Sequence, residues 1–585
     1  MRERKAPFRG LAHLLGALLL VLASVAAPAA AHSSWVPQPE PASYGRSQPV
    51  AVSVTMDDGV VLAAQVAYPT DPVTGERAPG EFPVLISQNP YGAGPRDPFG
   101  GADYLVKRGY IYVVSAVRGS GASGGQLDWF GARQGKDGAA LVNWAARSLT
   151  GSDGNVGLDG CSYLGVNQWF TAAAVGKHSP LKAIAPFCTD SDFYNDLAAA
   201  GGIPTTFVPG IGRAIPRGPQ DDPLTDPLSV TVNDLRNGGP RSYNNEYWHA
   251  LNVQELLPKI VANGVPALSQ SGWNDLFPGG NLGAYVAAQN AYYGRPLHAP
   301  IRTGQPVTGR YQAIVGPWTH GQHVTGDVLA NIRKEWFDTW LKRRPTGMAK
   351  TAKPLHVFQN GASRWVDTAA WPPSPRTETF YLNDNSALTT TKPATPGTDA
   401  LSWSTPSPLT YTTAPLPTAK VLDGPINVSV HLTSTTPDAQ VTATVNLVAP
   451  DGSVTKQGGG VLLAGMRELD TRQSWYGTGH SLIKAAHPFT QSSQRLLTPG
   501  EAVRMDISVL ANFTLIPAGH RLQVVLSSQA PDFHLQLAPT PQQRANLELG
   551  QYRISRAPGA ASSITLPLAP PGMFATSPVN WGPSY

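Results

Sequence analysis

Cysteine is almost absent from this 585-residue sequence, which holds only Cys161 and Cys188. Two cysteines exclude a disulfide framework. A single bridge is open to an exported chain, but it needs Cβ atoms about 4 Å apart and suitably aimed, so two buried free thiols are the expectation. Charge is scarce as well: Asp, Glu, Lys and Arg make up 14% of the residues, against about 25% in ordinary domains, which argues against a coiled coil. What is abundant is Gly and Pro, 59 and 55 residues. They punctuate turns and make an all-helical protein a poor fit. Apolar residues at 41% are enough for a large core, so global disorder is excluded, and the length suits two or three domains.

Long apolar runs are also missing, with one exception near the N-terminus. Arg2, Arg4, Lys5 and Arg9 precede an apolar stretch from Leu11 to Val25, and Ala27-Pro28-Ala29-Ala30-Ala31 follows. This is the layout of a secretory signal peptide, and the stretch, interrupted by His13, is short for a membrane span. Cleavage is expected after Ala31, giving a secreted protein with no membrane attachment. Removing residues 1–31 leaves 40 basic against 38 acidic residues, so the formal charge falls from +5 to +2. No Lys/Arg block remains to follow a phosphate backbone, and nucleic acid is rejected as a partner.

Val50–Met56 and Val60–Tyr68 flank Asp57-Asp58-Gly59, a strong hairpin signal. Buried-strand candidates follow at Phe82–Gln88, Tyr110–Val117, Val156–Ser162, Leu181–Phe187, Val265–Gln270 and Tyr311–Gly316. Helical periodicity appears at Gly135–Arg147, Tyr163–Ala174 and Asp327–Leu341. Alternating strands and helices predict a mostly parallel α/β sheet over residues 32–345. A Pro/Gly-broken stretch, about 190–264, reads as a cap inserted at the strand ends, with helical pieces at Val232–Asn237 and Glu246–Val261. From 346 to 585 the helical period stops, and short Val/Thr/Leu-rich runs read as an all-β sandwich.

The segment Gly160-Cys161-Ser162-Tyr163-Leu164-Gly165 runs from a strand through small residues into a helix. That is the setting of a nucleophile elbow, which presents a Ser hydroxyl above a sheet edge. The usual glycine two residues after Ser is displaced to Gly165, so by pattern alone an ordinary tight turn fits as well. Partners should follow in the order acid, then His. Asp275, after the strand ending at Gln270, and His320, after the strand ending at Gly316, have that order and lie where open α/β sheets build sites. Taken singly, Asp275 could cap a helix and His320 could be a satisfied loop residue, with His323 a rival base; the three together favour a triad. Gly119-Ser120-Gly121-Ala122-Ser123-Gly124 matches a dinucleotide-binding pattern, but no helix is expected to open there and no acid ends a second strand at the required distance. No cofactor is expected. No metal site is expected either, the 13 histidines being scattered.

Together, Gly160–Gly165, Gly272-Trp273-Asn274-Asp275, Gly316-Pro317-Trp318-Thr319-His320-Gly321, Asn89-Pro90-Tyr91, Arg118–Gly124 and Gly519-His520-Arg521-Leu522 resemble the motifs of the X-Pro dipeptidyl-peptidase/CocE family of serine hydrolases. The resemblance covers the chain from Val50 onwards. It implies an α/β-hydrolase domain with a helical cap, followed by a jelly-roll domain. It also implies Ser162 as nucleophile, His320 as base, Asp275 as its orienting acid, and an oxyanion hole made by the Tyr91 phenol and the Tyr163 N–H. Family members that act on free-amine substrates need anions to hold an ammonium group. Asp190, Asp192 and Asp196 are the candidates, with Tyr194, Tyr243, Tyr247 and Trp248 as pocket walls. Solvated or helix-capping acids are the plainer reading of those residues. The expectation is a secreted hydrolase of peptide, amide or ester bonds, X-Pro dipeptidyl-peptidase first, carboxylesterase or acylase second. A catalytically silent binding protein is the rival from another class, and a homodimer is one option for its assembly.

Overall fold

The computed structural model describes residues 35–92, 101–222, 224–322, 327–530 and 534–582; the signal segment and His323 lie outside them. The hairpin forms as the sequence predicts. Strands β1 (Val50–Thr55) and β2 (Val61–Ala67) pair antiparallel from Thr55 and Val61 outward, and Gly59 takes φ +82° in the turn. Eight further strands complete one sheet: β3 (Phe82–Asn89), β4 (Ile111–Ala116), β5 (Ser152–Cys161), β6 (Leu181–Phe187), β7 (Ala267–Asn274), β8 (Tyr311–Thr319), β9 (Leu355–Gln359) and β10 (Arg364–Thr368). The order across the sheet is β10-β9-β8-β7-β6-β5-β3-β4-β2-β1. The seven strands from β9 to β4 run parallel, and every residue of β3 and β4 is buried, as strands covered on both faces must be.

Helices cover the sheet. α1 (Ala132–Arg147) buries Leu141, Val142 and Ala145, and α2 (Tyr163–Ala174) follows β5 directly and is buried for eleven of its twelve residues. The expected helix at Glu246–Val261 is two pieces, Glu246–Leu251 and α3 (Val253–Asn263), because the Asn252 side chain leaves the first turn to cap the second. α3 packs on α2 and on α4 (Pro278–Tyr292), so this end of the expected cap belongs to the helix layer of the sheet. α5 (Asp327–Trp340) buries Leu329, Ile332, Trp336 and Phe337 completely.

The sheet also runs past residue 345, because β9 and β10 add to its edge before the chain leaves it. Two antiparallel sheets then form the C-terminal β-sandwich. The larger is built around the long strands Lys420–Ser434 and Val503–Ile516, and the smaller from Leu409–Thr412, Gln440–Val448, Val454–Leu463 and Arg521–Ser527. Val428, Val430, Met505 and Ile507 of one sheet share a core with Val441, Val445, Val524 and Leu526 of the other.

One buried ion pair lies under the strand that leads to Ser162. Asp159 on β5 and Arg333 on α5 approach to 3.2 Å with both side chains 1% exposed. Tyr112 donates to the other Asp159 oxygen at 3.2 Å, and the guanidinium lies 4.4 Å over the Phe187 ring. Removing one member of such a pair strands a buried charge and costs about 3–5 kcal/mol, whereas replacing both by apolar residues is often neutral. Asp159→Ala should therefore lower the unfolding free energy in urea by about that much, and Asp159→Leu with Arg333→Leu should recover most of it. A loss under about 1 kcal/mol, the size of a surface pair, would refute this.

Candidate active site

β5 ends at Cys161, and the next residue, Ser162, takes φ 60°, ψ −127° as the cap residue of α2. A non-glycine residue in that region is strained, at a cost of order 1–3 kcal/mol. The glycines around it make the turn sterically feasible. Gly160 has φ 154°, and a Cβ there would lie 2.6 Å from the Leu164 Cβ. A Cβ on Gly165 would lie 2.8 Å from both the Gly160 and Phe187 carbonyl oxygens. Here the displaced glycine finds its reason: α2 packs so tightly on the ends of β5 and β6 that position 165 cannot carry a side chain. The Ser162 carbonyl accepts the Gly165 and Val166 N–H groups at 2.9 and 2.8 Å, which closes the first turn. Tyr163, at the first helical position, has no intrahelical acceptor for its N–H.

Asp275 follows β7, and His320 follows β8, the neighbouring strand. A Cβ on Gly272 would lie 2.1 Å from the Trp318 carbonyl oxygen, so glycine lets the two strand ends close up where their register shifts. The Asn274 side chain then ties the two loops together by donating to the Pro317 carbonyl at 2.9 Å. Asn274 stands in a motif the sequence singles out, but its tethering role depends on a contact 43 residues away. With the loops joined, His320 Nδ1 sits 2.8 Å from Asp275 Oδ1 and Nε2 sits 3.1 Å from Ser162 Oγ. The carboxylate can only accept, so Nδ1 carries the proton and Nε2 is left to accept the Ser162 hydroxyl. The Asp275 side chain is fully buried, while that of His320 is 34% exposed, which suits an orienting group below and a proton carrier above.

Tyr91 follows β3, its N–H held by the Asn89 side chain at 2.9 Å. Its phenol hydrogen-bonds Ser162, and burial raises its pKa above the usual tyrosine value, so it stays a protonated donor at neutral pH. The Tyr163 phenol points away and pairs with Gln134. Phe277 meets His320 edge-on at 5.3 Å, and behind the Tyr163 ring the Phe130 ring lies 4.0 Å from Tyr163 and 4.8 Å from Phe193. Sequence reasoning missed Phe277 as a neighbour of His320, because no spacing links two residues on separate loops.

The glycine-rich loop of residues 119–124 serves the cap. The Gly121 N–H donates to the Pro216 carbonyl at 3.1 Å, and the Gly119 carbonyl accepts the Gly218 N–H at 2.9 Å. No helix opens until Ala132. The cysteines are a correction to the sequence expectation: Cys161 and Cys188 form a disulfide with Cα atoms 5.2 Å apart. Parallel pairing sets Cys161 opposite Phe187, and the chain turns at Cys188 with φ 48°. That brings its side chain back beside Cys161, an orientation that a separation of 27 residues does not reveal.

The three acids considered for ammonium binding lie together. Asp192 and Asp196 line a cavity of about 380 Å³ between the cap, α4 and the β-sandwich, with Lys484, Glu255, Trp475 and Phe489; Ser162, His320 and Tyr91 are not among its lining residues. Asp190 and Asp196 hydrogen-bond each other, and burial lifts Asp190 to about 6 and Asp196 further. Two carboxyls this close share one proton. Lys484 faces them, its pKa lowered by burial against the pull of Asp196 and Asp192, so the cluster brings its own cation. Asp192 is engaged by the Asn195 side chain at 2.7 Å. Of the aromatic residues expected as walls, Tyr194 and Trp248 pack on one another in the cap, and Tyr247 lies under the chain's own Arg241 at 3.9 Å.

A carboxyl whose pKa is raised by folding takes up protons as the chain folds, so it favours the fold at low pH. For this pair the benefit is present below about pH 4 and is lost as the pH rises through about 6, the Asp190 value, and above it. Asp196→Asn supplies a permanently neutral partner. Urea unfolding at pH 5 and pH 8 should show a smaller decline for the variant than for the wild type, and an equal decline would mean the pair does not share a proton.

Comparison with known proteins places two regions of the chain. Residues 58–212 match the X-Pro dipeptidyl-peptidase (S15 family) domain, and residues 346–565 match the X-Pro dipeptidyl-peptidase C-terminal non-catalytic domain. Cocaine esterase from Rhodococcus sp. (strain MB1 Bresler) is 24% identical over 88% of this chain and 98% of its own length. A CocE/NonD family hydrolase from Staphylococcus aureus superposes with a TM-score of 0.71 at 19% identity, covering 90% of this chain and 97% of that one. An α-amino acid ester hydrolase gives 0.70 at 17% identity, over 93% and 100%. The two superpositions establish a shared fold.

Proposed function

The chain belongs to the X-Pro dipeptidyl-peptidase (S15) and CocE/NonD family of serine hydrolases, and from that premise we propose that it hydrolyses carboxylic esters with an apolar acyl group through a Ser162 acyl-enzyme. The observation that carries this reading is the relay Asp275–His320–Ser162, with Tyr91 beside the nucleophile and the Phe277 ring edge-on to the imidazole. His320 Nε2 takes the Ser162 proton as Oγ attacks the acyl carbon, since a Ser hydroxyl is a poor nucleophile until a base accepts that proton. Asp275 holds the tautomer and stabilises the imidazolium. The negative charge that forms on the acyl oxygen meets two donors, the Tyr91 phenol and the Tyr163 N–H. The second stands at the positive end of α2. The protonated His320 then donates to the leaving alcohol, and water repeats the sequence to release the acid.

Peptide or amide hydrolysis is the second reading, supported by the match to the S15 peptidase domain over residues 58–212. The acids at the cap disfavour a free-amine requirement, because Lys484 and the shared proton already offset their charge. Export is part of the proposal. It rests on the basic, apolar and small-residue order of residues 1–31, and the disulfide suits an oxidising compartment. No helix among the described residues is long and apolar enough to cross a membrane.

Ser162→Ala should lower kcat by about 10⁶-fold, and a residual activity above a tenth of wild type would mean another nucleophile. Tyr91→Phe should cost about 10²–10³-fold in kcat, the usual loss for one oxyanion donor. Hydrolysis of p-nitrophenyl butyrate beside Ala-Pro-p-nitroanilide and its N-acetylated form separates the two readings. Turnover of the ester with both anilides left intact is expected. Fast cleavage of the free-amine anilide alone would replace the esterase reading with a dipeptidyl-peptidase.

A further inference from the structure

The disulfide lies beside the His320 imidazole and next in the chain to Ser162. Cys161 is the residue immediately before Ser162, and the sulfurs of Cys161 and Cys188 and a ring nitrogen of His320 all lie within 4.8 Å of one another. Both cysteines are fully buried and, with Phe187, form a small apolar cluster of their own. The bridge is thus a near neighbour of the imidazole. It is also a poor hydrogen-bonding surface, so it limits the ring's movement without competing for its protons.

The same bridge joins two strained points of the chain. Ser162 has φ 60° and Cys188 has φ 48°, and residues in such regions persist only where their surroundings over-determine them. The ladder between β5 and β6 ends with the pair Cys161 and Phe187. Beyond that pair, the Ser162 N–H donates to the Phe187 carbonyl at 2.9 Å, and the Cys188 N–H donates to the Gln270 carbonyl of β7 at 2.8 Å. These two bonds and the disulfide link the ends of β5, β6 and β7, and β7 leads into Asp275. Of the three links, the bridge is the one that cannot break thermally.

We propose that the Cys161–Cys188 disulfide is a positioning device for the nucleophile and its base, so that losing it slows acylation of Ser162 while leaving substrate binding intact. The inference rests on the serine-hydrolase reading above. Reduction by a dithiol converts the bridge to two thiols as the dithiol closes to its own disulfide, which frees the end of β5 and loosens the contact beside His320.

Thiol titration of the denatured wild type should find no free thiols before reduction and two after it; two before reduction would overturn the proposal. In the Cys161→Ala/Cys188→Ala double variant, kcat for p-nitrophenyl butyrate should fall tenfold or more with KM within twofold. The rate of fluorophosphonate labelling at Ser162 should fall by the same factor. A merely structural bridge would lower the melting temperature and leave those rates unchanged at 25 °C, and a kcat within twofold of wild type overturns the proposal. Wild type refolded and held in a dithiol reductant gives the same reading without mutation: it should be slow and recover on reoxidation. Full rate in the reduced form, or failure of both bridge-free forms to fold, would overturn the positioning role. A wild type that neither turns over nor labels at Ser162 would remove the serine-hydrolase reading itself. An active wild type with an equally active bridge-free variant would remove this inference alone.

Discussion

The turn at Ser162 is the constraint around which the rest of the site is arranged. A serine held at φ 60° between a strand and a helix is an unfavourable local structure, and nothing in its own peptide units would keep it. It is sustained by α2, pressed on the ends of β5 and β6 so closely that residues 160 and 165 must be glycine, and by the neighbouring strand, through a hydrogen bond and a disulfide. The sheet in turn is sustained by ordinary burial of strands covered on both faces. Strain at one residue is thus offset by packing spread over several elements, which is how a reactive geometry survives in a marginally stable chain.

The acid and the base depend on a second close approach. β7 and β8 can only come together beyond their ladder because Gly272 leaves room for the Trp318 carbonyl, and the Asn274 side chain then fastens one loop to the other. The result sets the burial of each group to its part. The carboxylate is enclosed and accepts from the imidazole, and the imidazole reaches outward to the serine. Tyr91 arrives from β3, on the other side of β5 in the sheet. Two strand ends therefore bring side chains to one serine, and a third holds the imidazole from behind.

The acids beyond Cys188 show how tertiary placement alters a chemical reading. Three carboxylates within seven residues look like an anion trap for a cation. In the folded chain two of them share a proton against Gly280 at the start of α4, and Lys484, from a separate two-stranded hairpin of the C-terminal region, faces them across a cavity that the triad does not line. The cluster is a junction between cap, hydrolase sheet and sandwich.

Periodicity and turn chemistry act over a few residues, and what depends on them was legible in the sequence. The strand at Leu181–Phe187, the helix at Tyr163–Ala174, the hairpin at Gly59 and the change to β structure after the hydrolase sheet all follow from local pattern. The segments that bring Ser162, Asp275 and His320 together were also legible, because each is a contiguous motif at the end of a predicted strand. What required the tertiary structure was everything set by the direction of a side chain. The bridge between Cys161 and Cys188 turns on the backbone at Cys188, the split at Asn252 on its capping side chain, and the addition of β9 and β10 on an open sheet edge. The pairing of Asp190 with Asp196, and the arrival of Lys484 from nearly 300 residues downstream, belong to the same class. Contacts between distant segments depend on how whole layers pack, and no window of sequence contains both partners.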